Sequence, residues 1–255
     1  MPRLKIFTTL EEDAFESPPL FTGAERKQFF SLPLLLKDPL TILRTPTNKV
    51  CFLVAAGYFK ARHKFFARQF HPGDIAYVAR LIGVDPSGVC IEDYSKETYA
   101  RHQRLILRYF GFGPFDEAAI TFAAGEIAHL VRVQFRPKLV LLEIIQILTC
   151  KKIELPSYAM LADLIVAALN HRHQTLSHIV ETGLSEGLRA RLDALLQKEP
   201  GHRTDEGWRY RLTMLKKPFQ SSRPSKIRAN LADMITLQTL YLDLSPLVKS
   251  LELSY

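Results

Sequence analysis

Between Gly57 and Pro72 the chain has no carboxylate. This stretch, GYFKARHKFFARQFHP, holds four fixed positive charges, two histidines and five aromatic rings. Solvated surfaces usually mix both signs, so the segment calls for a negative counterpart. Cysteine is also scarce. Cys51, Cys90 and Cys150 lie far apart and form no CxxC pair, which argues against a disulfide framework or a zinc finger and fits a reducing, intracellular home. All three read as buried small hydrophobes. Long apolar runs are missing too. The opening MPRLKIFTTLEEDAFE has none that would serve as a signal peptide, and Leu139 to Leu148 is too short for a membrane span and carries Glu143. The expectation is a soluble, cytoplasmic protein with no membrane partner.

Catalytic patterns are absent as well. There is no HExxH, GxSxG, GxGxxG or Walker A sequence. His171 and His173 are two residues apart and do not share a helix face, and His178 adds little. Glu11-Glu12-Asp13 and Asp116-Glu117 read as first turns of helices, where the macrodipole favours acids. No autonomous active site, metal or cofactor is expected.

What is present is ordinary globular material with a basic excess. The 255 residues are 47% apolar and 24% charged, with a formal net charge of +8. That balance favours polyanionic partners and says nothing about fold. Helical signals dominate. Thr22 to Glu25 forms a capping box ahead of Arg26 to Phe30. Pro46 to Ala56 reads as a helix opened by proline and stopped near Gly57. Asp74 to Ile82 ends at Gly83, and Ser95 caps a helix running to Phe110 with Gly111 as its stop. Phe115 to Phe135 has helical apolar spacing. Pro137 to Thr149 is apolar almost all round and is expected to be the central helix. Ser157 caps Tyr158 to Asn170, with a longer helix to Ile179 as an alternative. Leu184 to Gln197 and Ser225 to Leu244 complete the set. The basic stretch itself reads as a turn between helices or as a short alternating segment; the turn is favoured.

An internal echo is present. Asn48 to Leu53 leads through basic residues to His71-Pro72 and the helix IAYVARLIG. Pro137 to Leu142 leads through Lys151-Lys152 to Leu155-Pro156 and the helix YAMLADLIV. Both have the grammar of a helix-turn-helix, although chance similarity between amphipathic helices gives the same look. The expected class is all-α: tandem helix-turn-helix-like DNA-binding modules over 1–94 and 95–180, and a helical linker region over 181–255. Within that last region Lys198 to Gly207 is polar and turn-rich and reads as a linker. The chain stops at Leu251-Glu-Leu-Ser-Tyr255 with no polar tail, as expected of a chain cut ahead of a further domain.

The candidate DNA-binding residues follow the charge. From Arg44 to Arg80 seven Lys/Arg face one acid, Asp74, and such clusters bind DNA phosphates through counterion release. They give Arg44, Lys49, Lys60, Arg62, His63, Lys64, Arg68 and Gln69. Tyr58, Phe59, Phe65, Phe66 and Phe70 anchor this segment on the core or touch sugars and bases. Arg101, Arg104 and Arg108 share one helix face. Lys151 and Lys152 occupy the second connector. Lys216, Lys217, Arg223, Lys226 and Arg228 form a basic strap into a helix N-terminus, a position that favours phosphate. Arg132, Arg136 and Lys138 make a smaller patch.

The order RTPTNKV, GYFKAR, FHP, and the segments YARHQRLILRYFGFGPFDEAA, IELPSYAMLADLI and RLTMLKKPFQSSRPSKIRANLADMITLQTLYLDL resemble the N-terminal region of the Tn-three family of replicative transposases. The resemblance covers nearly the whole chain. It implies bacterial origin, recognition of the element's terminal inverted repeats as double-stranded DNA, and self-association in the full-length enzyme. It also places catalysis in a downstream RNase-H-like domain whose acids hold Mg²⁺, so this part is expected to bind DNA without cutting it. Arg62, Arg68, Gln69, Arg101 and Arg104 are the expected readers of base edges. Two other readings stay open: a helical protein-interaction scaffold using Leu139 to Leu148, and a structure-selective RNA binder. One continuous basic face favours DNA; dispersed or neutralised cations favour the scaffold.

Overall fold

The computed structural model describes residues 5–31, 43–204, 207–210, 212, 215 and 223–252. Ten helices dominate the described residues: α1 (Thr9–Glu16), α2 (Gly23–Phe29), α3 (Pro46–Arg62), α4 (Pro72–Leu81), α5 (Lys96–Phe110), α6 (Glu117–Val133), α7 (Pro137–Cys150), α8 (Tyr158–Gly183), α9 (Glu186–Leu195) and α10 (Pro224–Glu252). A two-stranded antiparallel hairpin, β1 (Lys198–Thr204) and β2 (Gly207–Tyr210), lies between α9 and α10, with Lys198 opposite Tyr210. It occupies the segment expected to be a linker. KEPGHRT has one β-branched residue and no alternation, so nothing local announced a strand. The chain divides into a first unit through Leu169 and a second from Asn170 onward.

Helix starts follow their local chemistry. Thr8 with Glu11 and Thr22 with Glu25 make complete capping boxes. Thr45, Ser95 and Asp116 each accept a backbone N–H three residues on. Gly111 closes α5 in the left-handed conformation, φ 69°.

Two apolar groupings fill the first unit. One is built around α3, whose residues Val50 to Phe59 are all buried, with α2, α4 and α5 packed on it. The other joins Ile6 and Phe7 to α6, α7 and the start of α8. Three expectations are corrected here. α3 runs on to Arg62 rather than stopping near Gly57. A Cβ on Gly57 would lie 2.4 Å from the Phe30 ring, so glycine serves close packing and not a helix end. The helix buried all round is α3, whereas α7 buries Val140, Leu141, Ile144 and Leu148 and leaves Leu139 and Leu142 exposed. Of the cysteines, only Cys51 is buried; burial pushes its thiol up to about 12.

The expected modules also divide differently. α5 packs on α3, so the first grouping continues past Tyr94 to Phe112. The N-terminal segment belongs to the second grouping: the Tyr158 hydroxyl accepts from the backbone N–H groups of Ile6 and Phe7, at 3.1 Å each, and its ring stacks on Phe7. The connectors His63–His71 and Lys151–Ser157 are longer than the three or four residues of a helix-turn-helix turn. They meet each other. Leu155 N–H donates to the His63 carbonyl at 2.8 Å, and Gly113 exchanges backbone hydrogen bonds with Lys152 and Glu154.

In the second unit α10 buries Leu240 and Leu247, and Asp243 pairs with Arg191 of α9. Leu247 lies against Gly183, with Cδ1 2.6 Å from where a Cβ would stand. Ile227, Leu231, Met234, Ile235, Tyr241 and Leu242 of α10 are exposed. No helix among the described residues is long and apolar enough to cross a membrane.

Candidate nucleic-acid interface

The stretch from Gly57 to Pro72 turns most of its chemistry inward. Tyr58, Phe59 and Phe66 are buried. Lys64 is only 4% exposed. Its ammonium bonds Glu16 at 2.9 Å and the Pro156 carbonyl at 3.1 Å, and lies 4.2 Å from the Phe15 ring centre. Burial pushes its pKa down and the Glu16 bond opposes that. Lys60 donates to the Gln28 carbonyl at 2.8 Å, near the end of α2. Arg68 donates to the Tyr94 carbonyl at 2.7 Å. His63 ends α3 in the left-handed region and stacks on Phe112; burial lowers its pKa.

The one acid of the region, Asp74, is also internal. It accepts from Arg26 Nε and from the Tyr58 hydroxyl, both at 2.7 Å, and that hydroxyl accepts from His71 N–H. The network ties α2, α3 and α4 together. Of this segment's candidates, Arg62 and Gln69 stay exposed. Arg62 sits close enough to Glu25 to add a small attraction to the Thr22 hydrogen bonds that hold the Glu25 carboxyl low. Arg44 is exposed ahead of the α3 cap, and Lys49 is half-buried on α3.

A different set of cations faces outward. Arg101, Arg104 and Arg108 are all exposed along α5, while Tyr99, His102, Ile106 and Leu107 face the core. The helix therefore separates charge from apolar residues by periodicity alone. The stripe leads to the second connector. Lys151 and Lys152 are exposed, and the Lys152 ammonium lies 3.8 Å from where a Gly111 Cβ would stand. Lys152 is in the left-handed region, φ 55°, and its carbonyl accepts from Gly113 N–H. Among the described residues none of these five cations makes an ion pair. Glu154 next door is half-buried; burial raises its pKa and a Phe115 backbone hydrogen bond opposes that.

Beneath the stripe His102 is fully buried. Its Nδ1 lies 2.7 Å from the Tyr94 hydroxyl, its ring meets Phe52 edge-on, and Nε2 has no hydrogen-bond partner among the described residues. Burial, with a smaller push from Arg101, lowers its pKa to about 4.

The remaining candidates belong to the second unit. Arg223, Lys226 and Arg228 are exposed at the start of α10, where the Arg223 carbonyl accepts from Lys226 and Ile227 N–H. Lys216 and Lys217 lie outside the described residues. Among the described residues no three His, Cys, Asp or Glu side chains cluster as a metal site would require. Sequence reasoning passed over Val133 and Phe135, both exposed, because it ran the α6 helix through them; the signal was Arg136-Pro137, which disfavours helix just before proline.

Among curated proteins no relative matches the chain. A family model described as "Domain of unknown function (DUF4158)" matches residues 6–168, which takes in both apolar groupings of the first unit, and the chain belongs to that family.

Proposed function

We propose that this chain recognises duplex DNA at the terminal inverted repeats of a transposable element, as the N-terminal part of a Tn-three-family replicative transposase. The observation that supports the reading is the run of five outward cations, Arg101, Arg104, Arg108, Lys151 and Lys152, on α5 and the neighbouring connector, none of which is in an ion pair among the described residues. A stripe on one helix face presents guanidinium groups to a polyanion; the one acid of α5, Glu97, is exposed one turn before Arg101. Arg101, Arg104 and Arg108 span about 10 Å of helix, at about 1.5 Å per residue, enough to contact more than one phosphate of a strand. Phosphate contacts set position and a minority of side chains read bases; Arg101 and Arg104 are the readers assigned here. The helix–connector–helix pairs α3–α4 and α7–α8 act as two helical modules held together by their touching connectors, with longer links than a helix-turn-helix uses. Cleavage is assigned to a separate Mg²⁺-dependent domain of the full-length enzyme, and self-association to that full-length protein.

Nuclease footprinting on a duplex carrying the element's end, with a scrambled duplex as control, tests this. Protection confined to the repeat is the expected result. Equal protection of scrambled DNA removes sequence specificity, and stronger binding to folded RNA transfers the surface to RNA.

A further inference from the structure

The corner between α6 and α7 is left unused by the site above. α6 stops at Val133 because Gln134 is extended, φ −125° and ψ 114°, and Arg136 is extended ahead of Pro137. The corner is pinned. Gln134 N–H donates to the Leu130 carbonyl, and the Gln134 side-chain oxygen accepts from Arg136 N–H at 3.0 Å. The Arg136 carbonyl accepts from Leu139 and Val140 N–H. This turn holds Val133 at 70% and Phe135 at 58% exposure, between the exposed Arg132 and Arg136. No carboxylate occurs from Arg132 to Leu142. Lys138 is already paired with Glu11. The N-terminus of α7 opens here and adds its partial positive charge.

A rigid turn with a bulky apolar side chain at its tip and guanidinium groups on either side fits a partner that is anionic outside and apolar between layers. Stacked base pairs have that character. Minor-groove wedges pair an apolar side chain that opens a base step with cations on the flanking backbone. We propose that the α6–α7 corner is such a wedge: Phe135 enters a base step from the minor groove while Arg132 and Arg136 hold the adjacent phosphates. The inference rests on the duplex reading above and adds a second contact to it. α7 separates the corner from Lys151 and Lys152 by about 20 Å, at about 1.5 Å per residue, so the wedge is distinct from the α5 stripe. Flexible pyrimidine–purine steps are the favoured entry points.

The probe is the duplex carrying the element's end, with 2-aminopurine in place of adenine at its pyrimidine–purine steps, titrated with the whole chain. Binding is expected to raise the fluorescence as a step unstacks. Phe135→Ala is expected to abolish that rise, weaken binding about tenfold and leave the salt slope unchanged. Arg132→Ala with Arg136→Ala is expected to flatten the salt slope by roughly 2, at about 0.9 per phosphate contact. Phe135 is exposed, so its replacement leaves the fold intact, and circular dichroism checks this. Native binding without a fluorescence rise, or a rise that persists in Phe135→Ala, overturns the wedge and leaves duplex binding standing. No binding to any duplex sinks both. A Phe135→Ala defect seen only in sedimentation with phosphatidylserine vesicles assigns the corner to a lipid surface and also overturns the wedge.

Discussion

Two basic regions of the first unit carry similar charge and use it in opposite ways. In the stretch from Lys60 to Arg68, Lys60, Lys64 and Arg68 reach back into the molecule, to Glu16, to the carbonyls of Gln28, Tyr94 and Pro156, and to the Phe15 ring, while Arg62 stays exposed. On α5 and at Lys151–Lys152 the cations have no such partners among the described residues and point to water. The lesson is that local charge density does not locate an interface. The missing negative counterpart of Lys64 is Glu16, 48 positions earlier in the chain. Burial also decides what each cation is worth: an inward one supports stability, and an outward one is available to a partner.

The contrast can be broken in four places. The largest effect is expected at Asp74. Asp74→Ala leaves the Tyr58 hydroxyl and Arg26 without their acceptor, and urea denaturation should show a loss of about 3 kcal/mol. A loss below 1 kcal/mol would mean that the network does not hold α2, α3 and α4 together.

Next is the pH response of His102, which is faced by Tyr94, Arg101 and the Phe52 ring. Its folded pKa of about 4 lies below the ordinary 6.5, so protonation favours the unfolded chain. The neutral form's contribution is complete above pH 6.5 and is lost as pH falls from there to about 4. The difference amounts to about 3 kcal/mol at most. His102→Gln should flatten the stability profile across that window, and an unchanged profile removes His102 as its source.

Lys64→Met keeps the packing against Phe15 and removes the charge. It is expected to destabilise by about 2 kcal/mol and to leave the salt dependence of duplex binding unchanged. A lower slope would return Lys64 to the interface. The smallest stability effect is expected on α5. Arg104→Ala with Arg108→Ala should change the stability measured in urea by less than about 0.5 kcal/mol, yet lower the salt slope by roughly 2. If these two pairs of outcomes were exchanged, the inward and outward assignments would have to be reversed.

Much of the helical framework was legible locally. The Thr22–Glu25 box, the Ser95 cap and the Gly111 stop rest on residues within one turn of each other, and each stands where its chemistry placed it. The Arg101, Arg104 and Arg108 stripe was legible because helical periodicity needs no tertiary information. The boundaries that failed depend on distant partners. Gly57 reads as a stop until the Phe30 ring is packed against it. Phe135 reads as one more apolar residue of a helix until the turn before Pro137 is built.

By itself the sequence determined that the chain is helical, where most of its helices are capped, and that α5 presents arginines on one side, because hydrogen-bond capping and periodicity act over a few residues. The tertiary structure alone decided which cations are free. Burial and ion pairing join residues far apart in the chain, such as Glu16 with Lys64 and Arg26 with Asp74, and neither pairing can be read from spacing.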